Sequence, residues 1–302
     1  MTSSFATDFL IPAVLIFMMI GMGITLKVGD FIRLYEQKTP VLVGLMCQVM
    51  LLPLLGLTIT QLLTLPVDFV VGFLIICFCP GGAGSNLITL LAKGDKALSV
   101  TLTAISNFLA VLTLPLLLNL AVSSHYEIQD RPALPILSTM LLTALITTVP
   151  VLIGMKVRTY IGESRADASE KHFQNISAVL LVILMLGIAI KNRSVIQDSF
   201  LTLGPAVILL NLAALFIGFV VASLFRLNLE QRIAISVETG FQNAALAIVI
   251  TTTFLENFQM ALVPTFYGGT MFLGAFLAIA VFRTKIFQVQ PEGSGLCSST
   301  KM

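Results

Sequence analysis

The sequence predicts an all-α integral membrane protein of nine transmembrane helices, built as an inverted repeat of four and five helices with two broken crossing helices. Three observations carry this expectation. First, 57% of the 302 residues are hydrophobic and only 11% are charged, with a mean hydropathy of +1.00. Soluble domains carry about 25% charged residues, so this chain lacks the charge to cover a water-facing surface and much of it must face lipid. Second, the apolar residues fall in nine runs, most of them near the ~20 residues that a spanning helix needs. Third, two of those runs are interrupted by Gly, Pro and polar residues.

In chain order, the runs are expected at about 8–27, 39–63, 67–91, 97–122, 132–157, 173–190, 199–225, 230–254 and 260–282. The first, from Phe9 to Leu26, lacks a basic leading region, carries Asp8 and Pro12 and is followed by Lys27, so it reads as a retained helix and not as a cleaved signal. With the N-terminus outside, only Arg131, Lys191 and Arg193 of the 17 Lys and Arg fall in outside segments. The rest collect in inside segments, as cytoplasmic loops do. This sets the N-terminus outside and the C-terminus cytoplasmic, in a plasma or inner cell membrane. The tail 288–302 is polar and rich in Gly and Ser and is expected to be disordered. Cys47, Cys77, Cys79 and Cys297 form no disulfide framework and read as small packing residues.

The third run contains Pro80-Gly81-Gly82-Ala83-Gly84-Ser85-Asn86. Such a stretch is poor continuous helix, and backbone freed in lipid must be satisfied by protein or by a water-filled cavity. Ser85 and Asn86 are good N-cap residue types, so a second half-helix is expected to start beside them. The bland alternative is a kinked helix packed closely through small residues. The eighth run contains Glu238-Thr239-Gly240-Phe241-Gln242-Asn243. Glu238 is the only acid deep inside any run, and a carboxylate there costs at least ~2.5 kcal/mol. No basic residue lies deep in a run to offset it, so Glu238 is either protonated or bound to a cation. The two breaks lie five helices apart. An odd offset inverts the second copy relative to the first, which is the sequence trace of an inverted repeat whose broken helices cross near the membrane middle.

These residues resemble the bile acid:sodium symporter family. The likeness covers nearly the whole chain and includes GMGITLKVGDF, CQVMLLP, CPGGAGSNLITLLAKGDKALSVTLTAIS and ETGFQNAALA. The resemblance implies ten helices in two inverted five-helix repeats, or nine in members lacking the first. It also implies a core domain (about 39–122 and 199–287) and a panel domain (about 8–27 and 132–190) within one transporter domain, 1–287. The resemblance further implies two sodium ions. The first would be held by Ser85, Asn86, Ser99, Thr103 and Glu238. The second would be held by Gln48, Glu238, Gln242 and backbone carbonyls at Thr239 and Phe241. Every one of these groups offers oxygen, as a hard cation requires. Ser99 and Thr103 are four residues apart and share a helix face. Substrate contacts are expected from Ala83, Asn86, Asn243, Gly269 and Thr270. Here the chain departs from relatives: Ala83 stands where a hydroxyl is common, and Tyr267-Gly268-Gly269-Thr270 stands where a His-Asn pair is common.

The function expected is sodium-coupled symport of a small organic anion, bile-acid-like, pantoate-like or another carboxylate or sulfate, by alternating access with two Na+ per anion. Two sodium ions and Glu238 leave a local charge of +1, which a monoanion would neutralise. The alternative is a proton-coupled transporter or antiporter of related crossover fold, but such sites rely on acid pairs or on an acid with a Lys. The two histidines, His125 and His172, are both expected in loops, and no His-Glu-x-x-His motif occurs, so no catalytic residue is expected and the chain does not read as an enzyme. No basic and aromatic face for nucleic acid is present. The expected partners are lipid, sodium and the anion, with no organic cofactor, and the chain is compatible with a monomer.

Overall fold

The computed structural model describes residues 9–82, 84–126, 135–191 and 193–284. Ala83 and the tail 288–302 therefore lie outside the described residues. The chain is helical, in twelve elements: α1 (Ile11–Thr25), α2 (Val28–Glu36), α3 (Lys38–Leu62), α4 (Val67–Phe78), α5 (Ser85–Leu91), α6 (Lys96–His125), α7 (Ile136–Ile161), α8 (Glu163–Lys191), α9 (Arg193–Leu224), α10 (Leu229–Gly240), α11 (Ala244–Phe254) and α12 (Phe258–Phe282). Six of them, α3, α6, α7, α8, α9 and α12, are long and apolar enough to cross a membrane, and α1, α4 and α11 are shorter apolar helices. Each apolar run of the sequence falls on one helix or, at the third and eighth, on a pair of half-helices. The lipid-facing character shows in Leu137, Leu201, Phe216 and Leu273, all more than 60% exposed. A water-soluble fold would leave so many large apolar side chains outside only at a contact surface.

Two long helices carry a widened π-type turn, at Cys47–Leu51 in α3 and Ala144–Thr148 in α7. In both, a proline follows two residues later, Pro53 and Pro150. Proline lacks the N–H for the carbonyl four residues back and its ring crowds that carbonyl, so the ladder relaxes into a wider turn. The turn in α3 holds Gln48, which is 4% exposed.

The amphipathic helix α2 was not expected from the apolar runs. Phe31 packs edge-on against Phe108 of α6, with ring centroids 5.6 Å apart, while Val28 and Ile32 stay exposed. This pattern suits a short helix at the membrane surface. Helix α8 also begins ten residues before the expected apolar run, because its first turns are held by charge, so His172, like His125 at the end of α6, lies on a helix and not in a loop. Arg158 of α7 is buried and donates to the Ile24 carbonyl at 2.7 Å and to Asp167 at 2.5 Å. Lys27 lies 3.6 Å from the same Asp167. The guanidinium beside Asp167 therefore ties α1, α7 and α8 together at one end. At other helix ends, Asp68 of α4 accepts from the Tyr126 hydroxyl and from Asn257 Nδ2 at 3.0 Å. Burial, with the Asp68 carboxylate second, holds the Tyr126 hydroxyl above its ordinary range.

α1 packs chiefly on α7 and α8, and glycines set its distance. A Cβ on Gly23 would lie 2.1 Å from the Val151 carbonyl oxygen, and one on Gly154 would lie 2.2 Å from that of Ile20. The opposing atoms are backbone and cannot rotate away, so this is close helix packing through small residues. Gly154→Ala is expected to destabilise the purified protein by about 1–3 kcal/mol, read as a lower melting temperature in detergent. Gly204→Ala, which meets nothing within 4 Å, should leave it unchanged.

Candidate functional site

The polar interior is built where the two broken spans meet. α4 ends at Phe78 and α5 begins at Ser85; α10 ends at Gly240 and α11 begins at Ala244. The extended residues between them pair as a single antiparallel bridge, Gly81 opposite Gln242. Gly82 N–H donates to the Phe241 carbonyl at 2.8 Å, and Asn243 N–H donates to that of Pro80 at 2.9 Å. Each break thus satisfies backbone groups released by the other, as low dielectric demands. Only glycine permits the approach: a Cβ on Gly81 would stand 1.9 Å from Glu238 Oε1, and one on Gly82 would stand 2.8 Å from the Gln242 carbonyl oxygen.

Glu238, 2% exposed, points into this crossing. Thr103 donates to its Oε1 at 2.6 Å and Ser99 to its Oε2 at 3.0 Å. Ser99 Oγ also lies 3.0 Å from Asn86 Oδ1, Thr103 Oγ1 lies 3.4 Å from the same atom, and Ser85 Oγ lies 3.3 Å from Thr103 Oγ1. Ser85, Asn86, Ser99, Thr103 and Glu238, predicted from sequence, therefore converge on one buried volume from α5, α6 and α10. Thr89 joins them unpredicted, with its hydroxyl 3.3 Å from Ser99 Oγ. It lies one turn beyond Ser85 and Asn86 on the same short helix, and that spacing was its signal. Lys27 and Arg158 form ion pairs elsewhere, and among the described residues no Lys or Arg pairs with Glu238.

The second predicted group assembles in part. Gln48 Nε2 donates to Gln242 Oε1 at 2.5 Å and to the Cys79 carbonyl at 3.0 Å. Gln242 Nε2 in turn donates to the carbonyls of Thr239 at 2.8 Å and Glu238 at 3.2 Å. Gln48, Gln242, Glu238 and Thr239 thus share one locus. The Phe241 carbonyl is turned to Gly82 instead. The N-cap expectation for Ser85 and Asn86 needs correction. The N-cap of α5 is Gly84, with no side-chain cap bond, because both side chains are drawn into the oxygen cluster.

The expected substrate residues separate. Asn86 is 1% exposed and belongs to the oxygen cluster. Asn243 lines a cavity of about 90 Å³ with Met18 and Met19 of α1, Gln174 and Ser177 of α8, and Phe272 of α12. Its Oδ1 caps α11 by accepting from Leu246 N–H at 3.1 Å, which fixes the carboxamide and leaves Nδ2 as the group facing Met19. Gly269 and Thr270 line a neighbouring apolar cavity of about 580 Å³ between α8, α9 and α12. The Thr270 hydroxyl is turned back onto the Tyr267 carbonyl at 3.1 Å. Ala83 lies outside the described residues.

The family described as the Sodium Bile acid symporter family matches this chain over residues 12–199. The chain is 31% identical over 236 residues to the uncharacterized sodium-dependent transporter YocS of Bacillus subtilis, covering 78% of this chain and 71% of that protein. It is also 31% identical to the probable sodium/metabolite cotransporter BASS1, chloroplastic, of Oryza sativa subsp. japonica, over 80% of this chain and 58% of that one. Sodium/bile acid cotransporter 4 of Homo sapiens is 29% identical over 86% of this chain and 57% of its own length. The chain therefore spans less than two thirds of these plant and human relatives.

The tight fit of Gly81 gives a test of the geometry that needs no ligand. Gly81→Ala must push the Glu238 carboxylate away from Ser99 and Thr103, and a hydrogen bond to a charged group is worth about 1.5–3 kcal/mol. A lower melting temperature in sodium-free buffer is expected. An unchanged one would show that the carboxylate has room to move.

Proposed function

The chain belongs to the sodium bile acid symporter family, and on that premise we propose that it imports a small organic anion with two sodium ions by alternating access. The observation that carries this reading is the setting of Glu238. It is a buried acid among neutral oxygens, with no basic side chain paired to it among the described residues. A carboxylate so placed needs a positive charge, and an oxygen-only shell suits a hard monovalent cation. One sodium ion would sit among Ser85, Asn86, Ser99, Thr103 and Glu238. The other would sit at Gln48, Gln242 and the Glu238 and Thr239 carbonyls, once the Gln242 carboxamide turns its oxygen inward. Sodium is here cargo and driving ion together.

Two sodium ions against one carboxylate leave a charge of +1 for a monoanion to neutralise. The cavity at Asn243 supports this assignment, since the capped carboxamide holds an N–H donor toward it. A tenfold sodium gradient supplies ~1.4 kcal/mol per ion. One net charge moving through 100 mV supplies ~2.3 kcal/mol. The sum, about 5 kcal/mol, could concentrate an anion a few thousandfold.

The nine-span, inverted-repeat reading draws support from a local likeness between the two broken spans. Two residues beyond the end of each second half-helix stands a residue with positive φ, Lys93 at 63° and Glu256 at 50°. Each is followed by a side chain that caps the next long helix, Asp95 bonding Leu98 N–H and Asn257 bonding Met260 N–H. In this reading α1, α7 and α8 form the panel, the remaining spans form the core, and the C-terminus is cytoplasmic.

Reconstitution into liposomes tests the proposal. Uptake of labelled organic anions should need an inward sodium gradient and should not be sustained by potassium or by a proton gradient. Glu238→Gln should reduce sodium-driven uptake at least a hundredfold, the effect of about 2.7 kcal/mol on a coupled ion. Uptake by Glu238→Gln at the wild-type rate, or wild-type uptake driven by pH alone, would refute the sodium reading.

A further inference from the structure

Where a helix stops, its last carbonyls lose their partners, and the end of α10 shows where each one goes. The Val237 carbonyl accepts from Phe241 N–H at 2.9 Å. The Glu238 and Thr239 carbonyls accept from the Gln242 side chain, a group able to swing away. The Gly240 carbonyl is held differently. Asn211 Nδ2 of α9 donates to it at 2.7 Å and the Tyr267 hydroxyl of α12 donates at 2.9 Å, with 3.3 Å between those two groups. Asn211 is 2% exposed and Tyr267 is fully buried. Asn211 is packed without slack, since a Cβ on Gly274 would lie 1.9 Å from its Oδ1, and Gly240 itself is hemmed in, since a Cβ on it would lie 2.5 Å from the Leu215 side chain.

Two rigid donors on one carbonyl fix the orientation of the Gly240 peptide plane. Consecutive peptide planes are linked through two dihedrals per residue, so this clamp also limits the rotation of Thr239 and Glu238. We propose that Asn211 and Tyr267 are positioning residues for cation binding. They hold the Gly240 carbonyl away from the crossing, so that the Glu238 and Thr239 carbonyls remain as the oxygens a cation can claim from Gln242. Tyr267 adds a link to the substrate side. One turn along α12, Met271 lines the cavity at Asn243, and the adjoining Gly268 packs against Met185 of α8 and Ala244 of α11. Filling that cavity bears on the helix that holds the clamp.

The inference rests on the sodium reading, and sodium alone is the probe. The full-length protein is melted in detergent across a NaCl series, with KCl holding ionic strength constant, and the sodium concentration giving half of the full stabilisation is read. Tyr267→Phe keeps the ring and removes one donor, while Asn211→Leu is close to isosteric and removes the other. Each is expected to raise the sodium midpoint about 5–10-fold, the scale of one buried hydrogen bond. Tyr267→Phe should still fold, because Asn211 continues to satisfy the carbonyl. If both variants melt lower in KCl yet keep the wild-type sodium midpoint, the residues are merely structural and the inference is overturned. Glu238→Ala separates the two failures. If it retains the sodium-dependent shift, or the wild type shows none, the sodium reading itself falls and takes this inference with it.

Discussion

The structure depends on one constraint: backbone groups released inside a membrane have no water to turn to. Breaking a helix at Pro80 to Gly84 frees donors and acceptors in the most expensive place, and breaking a second at Phe241 to Asn243 frees more. Neither break is tolerable alone. Together they exchange two backbone hydrogen bonds, from Gly82 to Phe241 and from Asn243 to Pro80. The exchange requires close approach, and residues 81, 82 and 84 are glycines that face the Glu238 carboxylate, the Gln242 backbone and the Phe241 ring. The remaining ends are met by side chains: Asn243 caps α11, Gln242 covers two carbonyls of α10, and Asn211 with Tyr267 covers a third.

Once the crossing exists, the oxygen cluster follows from helix geometry. Ser99 and Thr103 lie four residues apart on α6 and so present their hydroxyls on one face, both to the same carboxylate. The start of α6 is held to the start of α10 by a backbone bond from Asp95 to Glu230 at 2.9 Å. Asp68, Tyr126 and Asn257 tie α4 to the end of α6 and the start of α12. Fixed at such points, the helices place the hydroxyls to within a hydrogen bond of Glu238, a precision that loops seldom give.

Much of this was legible because membrane solvent is unforgiving. A lone Glu in an apolar run, or three glycines and a proline in seven residues, demands an explanation that a soluble sequence would not. What escaped the sequence reading did so for identifiable reasons. α2 is nine residues of mixed charge between two runs, so a search for long apolar segments passes over it. The wide turn at Gln48 is announced only by Pro53. Asn211 sits singly in ILLNLAALF, and an amide there is costly without a partner, so it could have been singled out; its partner, the Gly240 carbonyl, is 29 residues away and invisible in sequence. Tyr267 stands out in sequence only as a departure on the substrate side, yet its hydroxyl holds the Gly240 carbonyl at the end of α10. At Ser85 and Asn86 the local rule for helix starts places the half-helix correctly but not its cap, because their side chains join the oxygen cluster.

The hydroxyls around Glu238 also bear on how such a site could return empty. A buried carboxylate needs donors, and Ser99 and Thr103 supply them. With a cation present, the same atoms must supply lone pairs. A hydroxyl does both by rotating about one bond, since it carries one donor and two acceptor sites; an amide nitrogen or a Lys could do only one. In the proposed scheme, a loaded state of two cations with one carboxylate and one monoanion would be neutral. An empty state would carry one negative charge eased by two charged hydrogen bonds. A state with cations and no anion would carry an uncompensated positive charge in low dielectric, which is costly. A site built this way would favour crossing when full or empty and disfavour it when half-loaded, so coupling would follow from charge and hydroxyl rotation without any separate gate.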